Sequence, residues 1–342
     1  MCAPIIIPTL CRYEHFVRLI ESLKRNSYAK YTDVYIGLDF PSSENHLDGY
    51  RKISLYLEGE FVEFKSLNVI KRQENYGSGR NLQALTEFVL SKYDRFIKAD
   101  DDLEFSPNFL EYMNKCLDEY EYDDEIVAIS GYSYPLKWKV GDGATIFKEN
   151  FICPMWGTGF WKKKYMKLEE YIVEGKSLYN NARNIILNGS FIKMSDVCRK
   201  EFADLCLSQD SESSLATAIS DISVRMYMAV CDKYVITPTL SKARNWGFDG
   251  TGQYCQSIMN TDNGSTAKNY LYHLQQMDVA KNFSIIPDTI YDNSSNKKAM
   301  GRFDPIPIMD RMNALLKITL FAVFGRRLYS KIIEKFRTLW PH

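Results

Sequence analysis

The chain is short of the features that would place it in a specialised class. Its eight cysteines form no C-x-x-C pair and no Cys/His grouping at zinc spacing, so they read as reduced thiols of a cytoplasmic protein. Met1 to Leu10 has neither the basic start nor the length of a signal peptide. No run reaches the ~18 apolar residues that a membrane-spanning helix needs. Net charge is also missing, with 43 Lys and Arg against 43 Asp and Glu, which argues against a dedicated nucleic-acid binder. Full dinucleotide or P-loop glycine fingerprints are absent, and the early loop Thr9-Leu10-Cys11-Arg12 contains no glycine.

What remains is an ordinary globular composition: 342 residues, 45% apolar and 25% charged, enough for a substantial core in one or two domains. Aromatics are plentiful at 14%, with 23 Tyr and 5 Trp, which suits surfaces that stack on sugars or bases. The neutral total hides an asymmetry. From Arg311 onward there are seven Lys or Arg and one acid, Glu334, leaving the first 310 residues with a net charge of −6.

The most informative stretch is Phe96-Ile97-Lys98-Ala99-Asp100-Asp101-Asp102-Leu103-Glu104. A short apolar run stops at three carboxylates, as in a buried strand that delivers acids to its carboxyl end, where open α/β sheets place ligands. Adjacent like charges require either water or a cation. The alternatives are therefore a solvated acidic turn and a site for Mg²⁺ or Mn²⁺ that bridges to a phosphate.

Around it, strand-like and helix-like stretches alternate. Ala3 to Pro8, Asp33 to Asp39 and Leu67 to Ile70 read as strands. Helical spacing follows each: Phe16, Leu19, Ile20 and Leu23; roughly Leu47 to Glu60; and Leu82, Leu85, Phe88 and Val89. Four alternations in about 100 residues predict a mostly parallel α/β sheet. Gly77-x-Gly79 reads as a plain turn or a weak phosphate cradle. A helix from near Asn108, a strand from Glu125 to Tyr132 and another from Thr145 to Ile152 follow. Pro154 to Trp161 reads as an aromatic-glycine turn in which Trp156, Gly157 and Gly159 either face a sugar ring or form a packed bend. Residues 162–209 give no assignable signal. A long amphipathic helix is expected from Glu212, with Asp221 beside its apolar stripe, then a strand from Tyr234 to Pro238. Arg244 to Gly252 reads as a glycine-rich mobile lid, and Asp292 to Lys298 as a polar loop.

In this order the features resemble a glycosyltransferase of the GT-A fold, most like the inverting N-acetylglucosaminyltransferase I family, with echoes of bacterial family 2. The likeness runs from Ile5 to about Tyr254. Its most specific piece is Asp100 to Phe109, similar to that family's Glu-Asp-Asp-Leu-Glu followed by a Pro-x-Phe helix start; Asp100 stands where the family has Glu. The resemblance implies Asp102 as the ligand of Mn²⁺ or Mg²⁺, and Asp100 with Asp101 in the nucleotide-sugar site. It implies Arg12 on the pyrophosphate side, Asp39 at the uracil base, and Trp156, Gly157 and Gly159 lining donor and acceptor sugars. Arg244, Gly250 and Gly252 belong to the segment that closes over the donor. Asp221 takes the position of the catalytic base, in Ser220-Asp221-Ile222-Ser223-Val224-Arg225, with an i,i+4 ion pair to Arg225 as the alternative.

The expected activity is therefore inverting, metal-dependent transfer of a hexose or N-acetylhexosamine from a nucleotide-diphosphate sugar, UDP-linked, to a glycan or lipid-linked acceptor hydroxyl. The alternatives are a sugar nucleotidyltransferase and a catalytically silent binding or scaffold relative. The resemblance divides the chain into a catalytic domain over 1–260 (nucleotide-sugar half about 1–135, acceptor half and lid 136–260), a connection over 261–307 and a tail over 308–342. In the tail, Leu315, Leu316, Leu320, Phe321, Val323 and Phe324 interleave with Arg311, Lys317, Arg326, Arg327, Lys331 and Lys335. That pattern fits a basic amphipathic helix lying on an anionic membrane surface, at the inner face of the cytoplasmic membrane, or one packed on the catalytic domain. With the resemblance, it points to bacterial surface-polysaccharide synthesis.

Overall fold

A computed structural model describes residues 2–174, 177–207, 218–249, 251, 276–303 and 305–339. The β-branched runs form strands as expected: β1 (Ile5–Thr9), β2 (Asp33–Leu38), β3 (Ser66–Lys71) and β4 (Arg95–Lys98). Next come β5 (Leu103–Phe105), β6 (Ile126–Ser130), β7 (Ile146–Glu149), β8 (Thr158–Trp161), β9 (Tyr234–Pro238) and β10 (Ala243–Asn245). Eight of them make one sheet in the order β3-β2-β1-β4-β8-β6-β9-β7, while β5 and β10 pair separately. β1 runs parallel to both β2 and β4, and β2 parallel to β3. Helices α1 (Tyr13–Lys24), α2 (Glu44–Tyr56), α3 (Gly77–Leu90) and α4 (Phe109–Glu119) fill the crossovers. This is the mostly parallel, helix-flanked sheet expected of the GT-A class.

The chain groups into two compact units. The first comprises 1–148, 154–163 and 236–291; the second comprises 149–153, 164–235 and 292–342. The core of the first lies on the strands. Ile5, Ile6, Ile7, Ile36, Ile97 and Ile129 are fully buried, as are Phe16, Leu19, Ile20 and Leu23 on one face of α1.

Several elements differ from the sequence expectation. Half of the supposed turn at Pro154 to Trp161 is the strand β8, antiparallel to β4 and β6 in mid-sheet. Its glycine sits in tight packing, since a Cβ on Gly159 would lie 3.3 Å from the side chains of Met113 and Leu117. Gly77 and Gly79 lie in the first turn of α3 rather than in a loop, with Gly77 at φ +71°. In the second unit, the stretch without signal folds into short helices, among them α5 (Lys162–Glu169), α6 (Ser177–Asn180), α7 (Ala182–Leu187) and α8 (Asp196–Glu201). The long helix starts at Asp221, as α9 (Asp221–Cys231). Ser220 caps it by accepting from the Ser223 backbone while the Ser223 side chain accepts from the Ser220 backbone, a reciprocal capping box. The segment 212–217 lies outside the described residues.

The polar run at Asp292 to Lys298 opens a helix, α10 (Asn293–Phe303), instead of remaining a loop. The tail forms α11 (Ile308–Leu339), broken at Gly325, where φ is +66°. Ala314, Ile318, Phe321 and Tyr329 of α11 are buried within the second unit. No helix among the described residues is long and apolar enough to cross a membrane, and no disulfide joins the described cysteines.

A close backbone approach sets the geometry beside β6. Gly131 donates its N–H to the Gly157 carbonyl at 2.7 Å, and a Cβ on Gly131 would fall 2.6 Å from that oxygen and 2.7 Å from the Phe109 ring. Gly131→Ala is therefore expected to destabilise the protein by ~1–3 kcal/mol through overpacking, measured by denaturant unfolding. An unchanged midpoint would mean that the two loops separate freely.

Candidate active site

β1 and β4 are parallel neighbours, with Ile5 opposite Ile97 and Ile6 opposite Lys98. Their carboxyl ends therefore bring Thr9 and Arg12 against Asp100 to Asp102. Thr9 Oγ1 donates to Asp101 Oδ2 at 2.8 Å, and the Arg12 guanidinium donates to Asp101 Oδ1. The same guanidinium faces Asp102 Oδ2 at 2.9 Å. Asp102 Oδ1 is buried and has no hydrogen-bond partner. Lys98 Nζ neutralises Asp100 at 2.9 Å and reaches the Met155 carbonyl at 3.4 Å.

These contacts set the titration. Burial is the main force pushing the Asp102 carboxyl up to about 6; Arg12 opposes it, and the Asp101 and Asp100 charges reinforce it. For Arg12, burial alone would favour the neutral form, but the two carboxylates outweigh it and hold the guanidinium more firmly charged than usual. Among the described residues no three Cys, His, Asp or Glu side chains are placed to share a metal. Among the described carboxylates of this corner, Asp102 Oδ1 is the buried oxygen without a hydrogen-bond partner. It fits a hard cation that takes one or two carboxylates and draws its other ligands from phosphate and water, as Mg²⁺ commonly does.

A second strand pair covers this corner. β5 and β10 are antiparallel, with Arg244 opposite Glu104. Beyond β10, Trp246 donates its backbone N–H to the Asp102 carbonyl at 2.8 Å and its Nε1–H to Glu104 Oε2 at 2.9 Å. The guanidinium of Arg18 lies 4.7 Å from the centre of the Trp246 ring, that of Arg244 5.4 Å. Gly247 presses so closely on Asp102 that a Cβ there would meet Oδ2 at 2.1 Å. Asp249 accepts from the Thr251 backbone at 3.0 Å and hydroxyl at 2.7 Å, and pairs with His15 Nε2 at 2.8 Å. Gly250 and Gly252 lie outside the described residues.

The other expected residues are more dispersed. Asp39, at the end of β2, is buried and accepts from the backbone of Phe40 at 2.9 Å and of Tyr76 at 2.8 Å, so it anchors the loop before α3. Trp156 packs edge-on against Tyr132 and Phe248, at 4.6 and 5.9 Å. Gly157, at φ +70°, has space for no side chain, since a Cβ would meet Phe105 at 2.7 Å. Asp221 belongs to the second unit, exposed at the first residue of α9. The ion pair between Asp221 and Arg225, the alternative to a catalytic role, does not form: Arg225 Nη2 donates instead to both carboxylate oxygens of Glu201, at 2.7 and 2.6 Å.

Sequence reasoning did not single out Thr9, Lys98, Glu104, Trp246, Gly247 or the His15–Asp249 pair. Trp246 and Gly247 did lie in a segment marked by its glycines. The pairing that brings them to Asp102 depends on two three-residue strands 138 positions apart, from Phe105 to Ala243. Strands that short leave no periodic signal.

The model of glycosyl transferase family 2 matches residues 5–179, just over half of the chain, so this chain belongs to glycosyl transferase family 2. No curated protein matches it. Among solved structures it is similar to S. aureus TarS 1-349 in complex with UDP, at 17% identity over 42% of this chain and 37% of that one, with a TM-score of 0.30. The same TarS fragment with UDP-GlcNAc gives 18% identity, 42% and 36% coverage, and a TM-score of 0.29. The chain thus spans little more than a third of these two structures. The mannosyltransferase PcManGT of Pyrobaculum calidifontis, in complex with GDP-Man and Mn2+, is similar at 10% identity over 98% of this chain and 79% of that one, with a TM-score of 0.37.

The latch at Asp249 gives a pH prediction. Burial favours its neutral form, but the Thr251 and His15 contacts prevail and draw the carboxyl from the ordinary 3.8 to about 2. A depressed acid stabilises the fold above its unfolded value and loses that contribution as pH falls through the folded one. Asp249→Asn is therefore expected to melt below wild type near neutrality, with the gap narrowing below about pH 4 and closing near pH 2. A pH-independent gap in thermal melts would contradict it.

Proposed function

We propose that the chain is an inverting, metal-dependent glycosyltransferase. It takes a hexose or N-acetylhexosamine from a UDP-linked donor to a hydroxyl of a glycan or lipid-linked acceptor, in bacterial surface-polysaccharide synthesis at the inner face of the cytoplasmic membrane. The observation that carries this reading is the unpartnered, buried Oδ1 of Asp102 at the carboxyl end of parallel strands, beside a firmly charged guanidinium. Mn²⁺ or Mg²⁺ held by that oxygen would supply Lewis-acid stabilisation of the departing diphosphate. Arg12 offers a second positive charge for the diphosphate, releasing one of the two carboxylates it holds. Asp100, oriented by Lys98, and Asp101, oriented by Thr9, frame the donor. Asp39 supports the base-side loop through Tyr76. Trp156 contributes an aromatic face, Gly157 and Gly159 allow close backbone approach, and Arg244 with Gly250 and Gly252 belongs to the segment over the donor. Asp221 takes the proton from the acceptor hydroxyl, and one displacement inverts the anomeric centre.

Release of free nucleoside diphosphate in the presence of UDP-sugar, acceptor and Mn²⁺ tests the reading directly. Release of pyrophosphate when UTP and a sugar 1-phosphate are supplied instead would indicate a nucleotidyltransferase, and no turnover in either assay a binding subunit.

Asp102→Asn is expected to abolish metal-dependent thermal stabilisation by the donor and to stop transfer, while the metal-free melting temperature stays near or above that of wild type. The last expectation follows because the variant removes a carboxyl that burial keeps hard to ionise. Retained metal-dependent stabilisation would remove Asp102 from the site. Asp221→Asn should leave donor affinity by calorimetry nearly unchanged and lower turnover by roughly 10²–10⁴. The wild-type product should carry the opposite anomeric configuration to the donor by NMR. Retention of configuration, or normal turnover in the Asn variant, would contradict a role as base.

A further inference from the structure

From Ile308 to Phe324, α11 is apolar on two faces. Ala314, Ile318 and Phe321 are buried. On the other side Ile308, Met312, Leu316 and Val323 are 73%, 59%, 56% and 64% exposed. At helical spacing Ile308, Met312, Leu315, Leu316, Thr319 and Val323 fall within an arc of about 100°, a stripe roughly 22 Å long. The stripe carries no charge.

Five of the tail's seven cations divide into two sets. Lys317 is bound to Asp204 at 2.6 Å and Arg311 to Asp196 at 3.0 Å. Arg326 donates to the carbonyls of Tyr179 and Cys206 at 2.6 and 3.0 Å and lies 3.5 Å over the Tyr179 ring. These three fasten the helix to its own unit. Arg327 and Lys331, beyond the break at Gly325, are exposed, with Glu334 the one acid in that segment.

We propose that the outer stripe of α11, from Ile308 to Val323, is the seat of the chain on an anionic lipid bilayer. The helix lies in the surface plane, and Arg327 with Lys331 meets the lipid phosphates. This deepens the membrane setting proposed above and rests on it, but not on the transfer chemistry. An uncharged apolar stripe suits the headgroup/acyl boundary, and exposed cations beyond its end can reach anionic headgroups in the same surface plane. A second copy of the helix fits less well, since it brings the same cations and no acidic strip to receive them.

Vesicle flotation of the full chain tests this, using phosphatidylcholine alone or mixed with phosphatidylglycerol. Wild type is expected to float with the mixed vesicles. Leu316→Glu with Val323→Glu changes only exposed positions and should lower partition at least about ten-fold on either vesicle. Arg327→Ala with Lys331→Ala should lower it on the order of ten-fold on mixed vesicles alone. Wild type that stays unbound, or stripe variants that float like wild type, would overturn the proposal. So would a wild-type dimer that the stripe variant converts to a monomer in sedimentation, which would assign the stripe to a second copy. Nucleoside diphosphate release with a soluble acceptor should be equal in wild type and the stripe variant. Its absence in both would overturn the transfer reading and leave the flotation result standing.

Discussion

One guanidinium holds the site together. Three consecutive carboxylates at a strand end repel one another, and two of them, Asp101 and Asp102, are almost fully buried. Arg12 spans that pair, and Thr9 and Lys98 take up much of the remaining acceptor capacity. The compensation is incomplete in one place, because Arg12 faces Oδ2 of Asp102 and the close backbone of Gly247 restricts that side chain, leaving Oδ1 without a partner. An unsatisfied buried carboxylate oxygen is costly to keep. This one lies just past the carboxyl end of an interior strand, the place where open α/β sheets receive ligands.

That arrangement depends on strand order. With β1 and β4 side by side and parallel, their exit loops converge, and the acids of one meet the base of the other. β8, running antiparallel beside β4, packs its glycine over α4, and the Gly131–Gly157 contact draws the following loop close to the Phe105–Phe109 stack, whose ring centres are 3.8 Å apart. The fold thus builds a rigid floor beneath the acids, while the β5–β10 pair and Trp246 form a side wall. Membership of glycosyl transferase family 2 accords with this floor; the assignment of donor and base to particular side chains is a proposal drawn from the sequence resemblance, and at Asp102 the geometry supports the proposed metal ligand.

Much of the floor was legible in the sequence. Ile5 to Ile7 and Asp33 to Leu38 announce their strands by β-branched and apolar runs, and Asp100 to Asp102 announce a strand end by the abrupt change from apolar residues to acids. Other parts were not legible, for identifiable reasons. Thr158 to Trp161 looked like a turn because glycine marks turns by conformation, whereas here it yields space to Met113 and Leu117. Asp292 to Lys298 looked like a loop because its residues are polar, yet it opens the helix Asn293–Phe303, in which Asn296 and Met300 are buried. Arg225 looked like a partner for Asp221 by spacing, but its Nη2 donates to both carboxylate oxygens of Glu201, 24 positions earlier. The tail looked like one basic amphipathic helix, and only the fold separates the cations that fasten the helix from those that face outward.

The central claim is that Asp102 Oδ1 receives a divalent ion only when a diphosphate completes its coordination. Electron paramagnetic resonance of Mn²⁺ reads this without turnover. Titrating the protein into Mn²⁺ should leave the free-ion signal nearly intact, and adding UDP should then remove it in proportion to protein. UDP that binds by calorimetry while the Mn²⁺ signal stays that of the free ion would contradict the account.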